Sequence, residues 1–176
     1  MNNDEALRYP IGKFTPKDSY SSDEIRSNIN RIATLPDKVE QAVIAFSETQ
    51  FNTPYREGGW NVRQVIHHMA DSHMNAYIRF KWTLTENTPT IKAYNEKAWA
   101  ETYEVQHHAN ISIALLKALH IKLIELLKGL KPEDLKKEFT HPETQKNIPL
   151  ERLIALYAWH GEHHLGHIQI VANKKA

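Results

Sequence analysis

The sequence contains no cysteine, little glycine, no excess of one charge and no uninterrupted apolar run. Without cysteine, a thiolate metal site, a cysteine nucleophile and a disulfide framework are excluded, which fits a reducing cytoplasm. Lysine and arginine number 22 against 21 aspartates and glutamates, and the two signs are interspersed, so nucleic-acid binding is poorly supported. The most apolar stretch, residues 111–130, contains Lys117, Lys122 and Glu125 and is therefore too polar to span a membrane.

The spacing of apolar residues predicts an all-α protein. Only six glycines interrupt the 176 residues, and long stretches follow the period of an amphipathic helix. Residues 1–20 are predicted as an irregular N-terminal arm. Long helices are predicted over residues 21–47, with an interruption at Pro36, and over 62–86, 111–130 and 150–172. One domain over residues 1–176 is expected, a four-helix bundle that is up-down-up-down or has one longer crossover.

Histidine is unusually frequent, with 11 residues, of which seven lie in residues 67–73 and 160–167. Histidine is the commonest protein ligand of transition metals. His160 and His164 are one turn apart on the predicted apolar stripe of the last helix, close enough to share one ion. Because two buried imidazoles cost desolvation unless something binds them, this pair indicates a metal site.

A polar ridge on the helix predicted over 62–86 carries His68, Ser72, Asn75 and Arg79. The last three are candidates for supporting a metal site or contacting a substrate, and the planar fork of Arg79 would suit an anionic group. Ordinary hydrogen bonds or ion pairs between helices are the alternative for each.

Three further histidines are interpreted as residues that do not bind the metal. We interpret His73 as a hydrogen-bonded core residue and His67 as a solvated surface residue. His167 is interpreted as a buried residue behind the metal ligands.

Two segments resemble a known superfamily. Residues 60–71, WNVRQVIHHMAD, resemble the tryptophan-initiated helix of the DinB-like superfamily, and residues 160–168, HGEHHLGHI, resemble its closing histidine motif. Within that superfamily, the opening YPIG, the loop TPYREGGW and the segment from Asp71 to Phe80 are similar to the YfiT group of metal-dependent hydrolases. In the family pattern the ligands are the histidine eight residues after the tryptophan and the first and fifth residues of the closing motif. These positions are His68, His160 and His164 here.

The resemblance implies a four-helix bundle with one zinc or nickel ion per subunit on these three histidines. It also implies a cytoplasmic homodimer that hydrolyses a small-molecule substrate, although some relatives transfer low-molecular-weight thiols such as bacillithiol to electrophiles. Imidazole suits copper and iron as well, and zinc is favoured. Three protein ligands leave at least one coordination position for water or substrate.

Two reactions and one role without catalysis stay open for such a site. In hydrolysis the ion makes hydroxide available from water at neutral pH. In thiol transfer it deprotonates a small thiol, which must be a cosubstrate because the chain has no cysteine. A non-catalytic module would hold the metal or a ligand without turnover. The sequence identifies no general base.

Overall fold

The computed structural model describes residues 3–174, which fold mainly into α-helices. The helices are α1 (Asn3–Arg8), α2 (Ser22–Val43), α3 (Glu48–Phe51), α4 (Val62–Thr85), α5 (Glu96–Trp99), α6 (Asn110–Lys128) and α7 (Leu150–Ala172). Strands β1 (Glu138–His141) and β2 (Lys146–Pro149) form a hairpin, and single 3-10 turns lie at Tyr103–Gln106 and Asp134–Lys136. The predicted arm and domain also include residues 1, 2, 175 and 176, which lie outside the described residues.

Helices α2, α4, α6 and α7 form the four-helix bundle that the sequence predicts. Both α2 and α4 pack chiefly against α6 and α7. Helices α2 and α4, although consecutive among the long helices, therefore lie diagonally opposite each other. Of the two connectivities that the sequence left open, up-down-up-down is therefore excluded. Among the described helices, none is long and apolar enough to cross a membrane.

Capping boxes fix the starts of α2 and α4 where the sequence predicts them. The Ser21 side chain accepts from the backbone N–H of Glu24, and the Glu24 carboxylate accepts from the backbone N–H of Ser21. Asn61 and Gln64 make the same reciprocal pair at the start of α4. Each pair satisfies two backbone donors that a helix start leaves without partners.

Helix α2 continues through Pro36 without the predicted interruption. Proline has no N–H, so it leaves the carbonyl four residues earlier, that of Ile32, without its helical partner. His120 of α6 replaces this partner, since its Nδ1 lies 2.8 Å from the Ile32 oxygen. A side chain of a neighbouring helix thus donates the hydrogen bond that the proline cannot provide.

The core consists of two apolar clusters with a layer of histidines between them. On α4, Val62–Met69 belongs to one cluster and Ala76–Phe80 to the other. On α7, residues 150–158 belong to the second cluster and residues 165–171 to the first. His68, His73, His120, His160 and His164 lie at the level between the two clusters. The bundle therefore places its polar layer midway along its long helices.

Gly161 allows α2 and α7 to approach closely beside this layer. A Cβ atom at Gly161 would lie 2.2 Å from Cδ2 of Leu35, a fully buried residue of α2. Since the interior is close-packed, neither helix has space for the additional methyl group.

The elements that were not predicted from the sequence include two that pack against the bundle. The first is α1, which lies inside the arm expected to be irregular, whereas residues 9–20 are irregular as predicted. The second is the β1–β2 hairpin, whose register pairs Phe139 with Ile148. Phe139 is fully buried in the core, and this burial holds the hairpin against the bundle. Strands this short carry too little periodicity to be distinguished from loop.

We expect Gly161→Ala to lower the free energy of unfolding by about 1–3 kcal/mol, because the added methyl group overpacks the contact with Leu35. Urea denaturation measures the change. Gly129→Ala is the matched control, since a Cβ there meets nothing closer than 3.6 Å. A Gly161→Ala protein as stable as the parent would show that α2 and α7 are less closely packed than described.

Candidate metal centre

His160 and His164 lie one turn apart on the inner face of α7. Their ring centroids are 4.5 Å apart and the rings are nearly perpendicular. His68 approaches from α4, with its ring centroid 4.8 Å from that of His164. Trp60, immediately before the Asn61 cap, packs against His68 at a centroid distance of 4.7 Å. The α4 start and the middle of α7 therefore bring the three predicted ligand side chains together.

One nitrogen of each imidazole points to a common centre. The three nitrogens all lie within 4.8 Å of one another. Nε2 of His68 is 3.3 Å from Nε2 of His160. Metal–nitrogen bonds of about 2.0–2.1 Å in a tetrahedral site separate two ligand nitrogens by roughly 3.3–3.4 Å. The His68–His160 spacing therefore matches a tetrahedral divalent ion, and the third nitrogen lies close enough to join the same ion.

Burial keeps these imidazoles neutral. Desolvation lowers the pKa of His68 to about 4 and the pKa values of His160 and His164 well below the ordinary value. A neutral imidazole has one N–H and one nitrogen lone pair, and the lone pair is what a metal requires. The three rings are thus in the ligand form at neutral pH.

A chain of hydrogen bonds fixes which nitrogen of His160 carries the lone pair. It starts at the Ile32 carbonyl, which can only accept, so Nδ1–H of His120 donates to it. Nε2 of His120 then accepts from Nδ1–H of His73 at 3.0 Å. Nε2 of His73 in turn accepts from Nδ1–H of His160 at 3.4 Å. Nε2 of His160, the remaining nitrogen, is left with its lone pair facing the common centre.

A second, shorter chain does the same for His164. Nε2–H of His167 donates to the backbone carbonyl of Arg8 at 3.2 Å. Nδ1 of His167 is then an acceptor for Nδ1–H of His164, 3.3 Å away. Nε2 of His164 is therefore the nitrogen left for a metal. The carbonyl of Arg8 ends this chain, so the unpredicted helix α1 has a role in orienting the centre.

The structure decides between the interpretations of the other histidines. His73 is fully buried and hydrogen-bonded, and His167 lies directly behind a predicted ligand, as expected. The expectation of a solvated His67 is wrong. Its ring is 3% exposed, with Nδ1 2.8 Å from Oγ of Ser112 on α6. The helix wheel of α4 alone could not show that α6 covers this face.

The predicted polar ridge divides into three different environments. Ser72 lies at the centre, with Oγ 3.4 Å from Nε2 of His160 and 3.5 Å from the hydroxyl of Tyr157. Asn75 donates to the Asp71 carbonyl of its own helix, so the structure gives it no contact with the centre. Arg79 lines a neighbouring cavity beyond Ser72.

The candidate centre opens to solvent through a cavity of about 640 Å³. All three candidate ligands line it, and its walls also include the aromatic side chains of Tyr9, Tyr55, Trp60 and Trp159. Sequence reasoning did not identify these wall residues, because they come from α7 and from two segments outside the long helices. The cavity leaves one side of the common centre accessible to a small molecule.

The comparisons with known proteins agree with this architecture. Residues 31–168 match the DinB superfamily. A Bacillus subtilis protein named "Putative metal-dependent hydrolase YfiT" is 47% identical over 163 residues, which cover 92% of each chain. A Bacillus cereus protein, also named as a metal-dependent hydrolase, is 49% identical over 162 residues, which cover 92% of this chain and 93% of the relative.

A solved structure extends the likeness to the fold. YfiT from Bacillus subtilis, described as a probable metal-dependent hydrolase with an unusual four-helix bundle topology, superposes with a TM-score of 0.94 at 45% identity. The superposition covers 96% of this chain and 97% of that chain. The resemblance to the DinB-like superfamily and, within it, to the YfiT group is thereby confirmed.

The buried histidines predict how the stability of the metal-free protein depends on pH. Burial lowers the pKa of His120 and of His167 to about 4, against about 6.5 in an unfolded chain. Between these two pKa values the unfolded chain binds more protons than the folded one. The stability that comes from burying the neutral rings is therefore fully present above about pH 6.5 and is lost as the pH falls toward 4. Each such histidine contributes a slope of at most about 1.4 kcal/mol per pH unit.

We therefore expect the metal-free protein to melt at a lower temperature at about pH 5 than at about pH 7.5. Circular dichroism during heating measures the two midpoints. Equal midpoints would contradict the burial of neutral histidines.

Proposed function

We propose that this chain, which belongs to the DinB superfamily, is a metal-dependent hydrolase holding one divalent ion on His68, His160 and His164. The observation that carries the proposal is the convergence of three imidazole nitrogens within 4.8 Å of one another, from the buried His68 and His164 and the half-buried His160. Zinc is the first choice and nickel the second, since imidazole binds both.

An incomplete ligand set supports catalysis over a purely structural role. Among the described residues, the cluster of candidate ligands contains three histidines and no carboxylate. A structural zinc site normally uses four protein ligands, whereas a catalytic site keeps a position for water or substrate. The wide cavity in front of the three histidines gives a small molecule access to that position.

The chain itself holds and orients the centre. When bound, the ion supplies Lewis acidity, which polarises a substrate oxygen and makes hydroxide available at neutral pH. The hydrogen-bond chains behind His160 and His164 keep Nδ1 protonated, so that Nε2 stays a lone-pair donor. Ser72, with its hydroxyl 3.4 Å from Nε2 of His160, lies beside the position that a substrate at the ion would occupy.

Transfer of a small thiol to an electrophile is the second candidate reaction. It needs space for two substrates, and two cavities of about 640 and 680 Å³ meet at His160. The thiol must come from a cosubstrate, because the chain has no cysteine. The cytoplasmic location and the homodimer stay predictions from the family resemblance.

We expect His164→Ala to lose its metal, falling from about one ion per chain to well under half, because two histidines alone do not hold a zinc site. Elemental analysis of the purified protein measures the content. His67→Ala is the control, since the His67 ring bonds to Ser112 instead of facing the centre. Full metal content in His164→Ala would show that the wrong histidines have been assigned.

The reaction is tested with metal-loaded protein and chromogenic esters and amides, then with a small thiol and a halogenated aromatic electrophile. For a hydrolase we expect water to add to the acyl carbon and the bond to the leaving group to break without any thiol. Product that forms only with the thiol would replace hydrolysis by thiol transfer. Metal binding with no turnover in either assay would favour a non-catalytic module.

A further inference from the structure

A second cavity, of about 680 Å³, also borders His160 and shares Glu96 and Lys97 with the cavity in front of the candidate centre. Arg79 and Ser72 of α4 and Tyr157 of α7 line its inner wall, and Tyr94 and the β1–β2 hairpin close the outer side. The hairpin is tied to the segment before α5, since the N–H of Ile91 donates to the carbonyl of Thr140. This cavity is therefore a built compartment that borders a candidate metal ligand.

Arg79 is a half-buried cation with no partner in this compartment. Its Nε atom is inaccessible to solvent and has no hydrogen-bond acceptor. Within the described residues, no carboxylate lies within 4.0 Å of its guanidinium, although Glu96 and Glu143 line the same cavity. A buried donor without an acceptor destabilises the folded protein. A bound group that accepts from Arg79 would remove this cost.

Other donors surround the same space. Nδ1 of His141, on the hairpin wall, is also buried without a partner. The Tyr157 hydroxyl oxygen accepts from Ser72, so its own proton is left to donate. Burial raises the pKa of Tyr94 to about 12, so this hydroxyl also keeps its proton at neutral pH. Arg79 and these two hydroxyl donors together suit an oxyanion, and the rest of the lining adds one cation, Lys97, and two carboxylates, Glu96 and Glu143.

We propose that this cavity is an anion subsite, in which Arg79 binds a carboxylate or phosphate group of the substrate. The planar guanidinium pairs with either group through two parallel hydrogen bonds. Because the cavity borders His160, an anion on Arg79 would hold the reacting bond toward the candidate metal centre. The subsite rests on the proposed function only in that hydrolysis is taken as the reaction at the metal centre. It assigns the substrate class, which is small molecules with one anionic end.

Binding is tested first, on the unaltered protein loaded with zinc. Glutarate and, separately, inorganic phosphate are titrated into protein labelled with nitrogen-15, and the arginine Nε–H resonances are followed by NMR. We expect the Arg79 resonance to shift with at least one of the two anions, and the stronger response identifies the preferred group. A saturating titration in which Arg79 does not respond to either anion would overturn the subsite.

Selectivity is tested second, with a pair of nitrophenyl esters that differ by one carboxylate: the acetate and the glutarate monoester. Losing a charge-assisted pair costs roughly 1.5–3 kcal/mol, so Arg79→Gln should lower the ratio of kcat/KM for the glutarate over the acetate ester by about tenfold or more. Arg79→Lys should retain part of the ratio. Arg152→Gln is the matched control, a half-buried arginine on α7 that lines neither cavity.

The two experiments separate this inference from the proposed function. Anion-dependent shifts at Arg79 without hydrolysis of either ester would refute the hydrolase and leave the subsite standing. Hydrolysis of both esters, with the same ratio in Arg79→Gln as in the parent, would refute the subsite and leave the hydrolase standing. The binding measurement uses the parent protein, so it decides the matter even if Arg79→Gln does not fold.

Discussion

An imidazole buried away from water needs an acceptor for its N–H, and this requirement organises the interior of the protein. The chain from His160 through His73 and His120 ends on the carbonyl of Ile32, and the chain from His164 through His167 ends on that of Arg8. A backbone carbonyl can only accept, so each chain has one consistent set of protons. Both sets leave Nε2 of the candidate ligand directed at the same point.

Much of the fold could be predicted from local patterns. Apolar periodicity predicted the four long helices, and α2 and α4 begin within one residue of the predicted starts. The order of the helices around the bundle could not be predicted, because it depends on which faces meet after folding. The continuity of α2 at Pro36 has the same origin, since the partner that relieves the orphaned carbonyl, His120, comes from α6. Sequence periodicity contains no information about such a contact.

The candidate site was predictable where spacing along one helix decides the geometry. His160 and His164 lie one turn apart, and the resemblance to the DinB-like superfamily added His68. Residues that support the site from other helices were not recognisable: His120 is 40 residues from its nearest candidate ligand in sequence, yet it belongs to the same hydrogen-bond chain. His67 was wrongly interpreted as solvated, because a side chain that faces away from the centre can still be covered by another helix.

X-ray absorption spectroscopy at the edge of the bound metal tests the central claim most directly. Zinc-loaded protein should show about three imidazole nitrogens at roughly 2.0–2.1 Å and at least one further light ligand. The outer-shell scattering of the imidazole rings distinguishes histidine from carboxylate. A first shell with no more than one imidazole, or one made chiefly of carboxylates, would contradict a centre built on His68, His160 and His164.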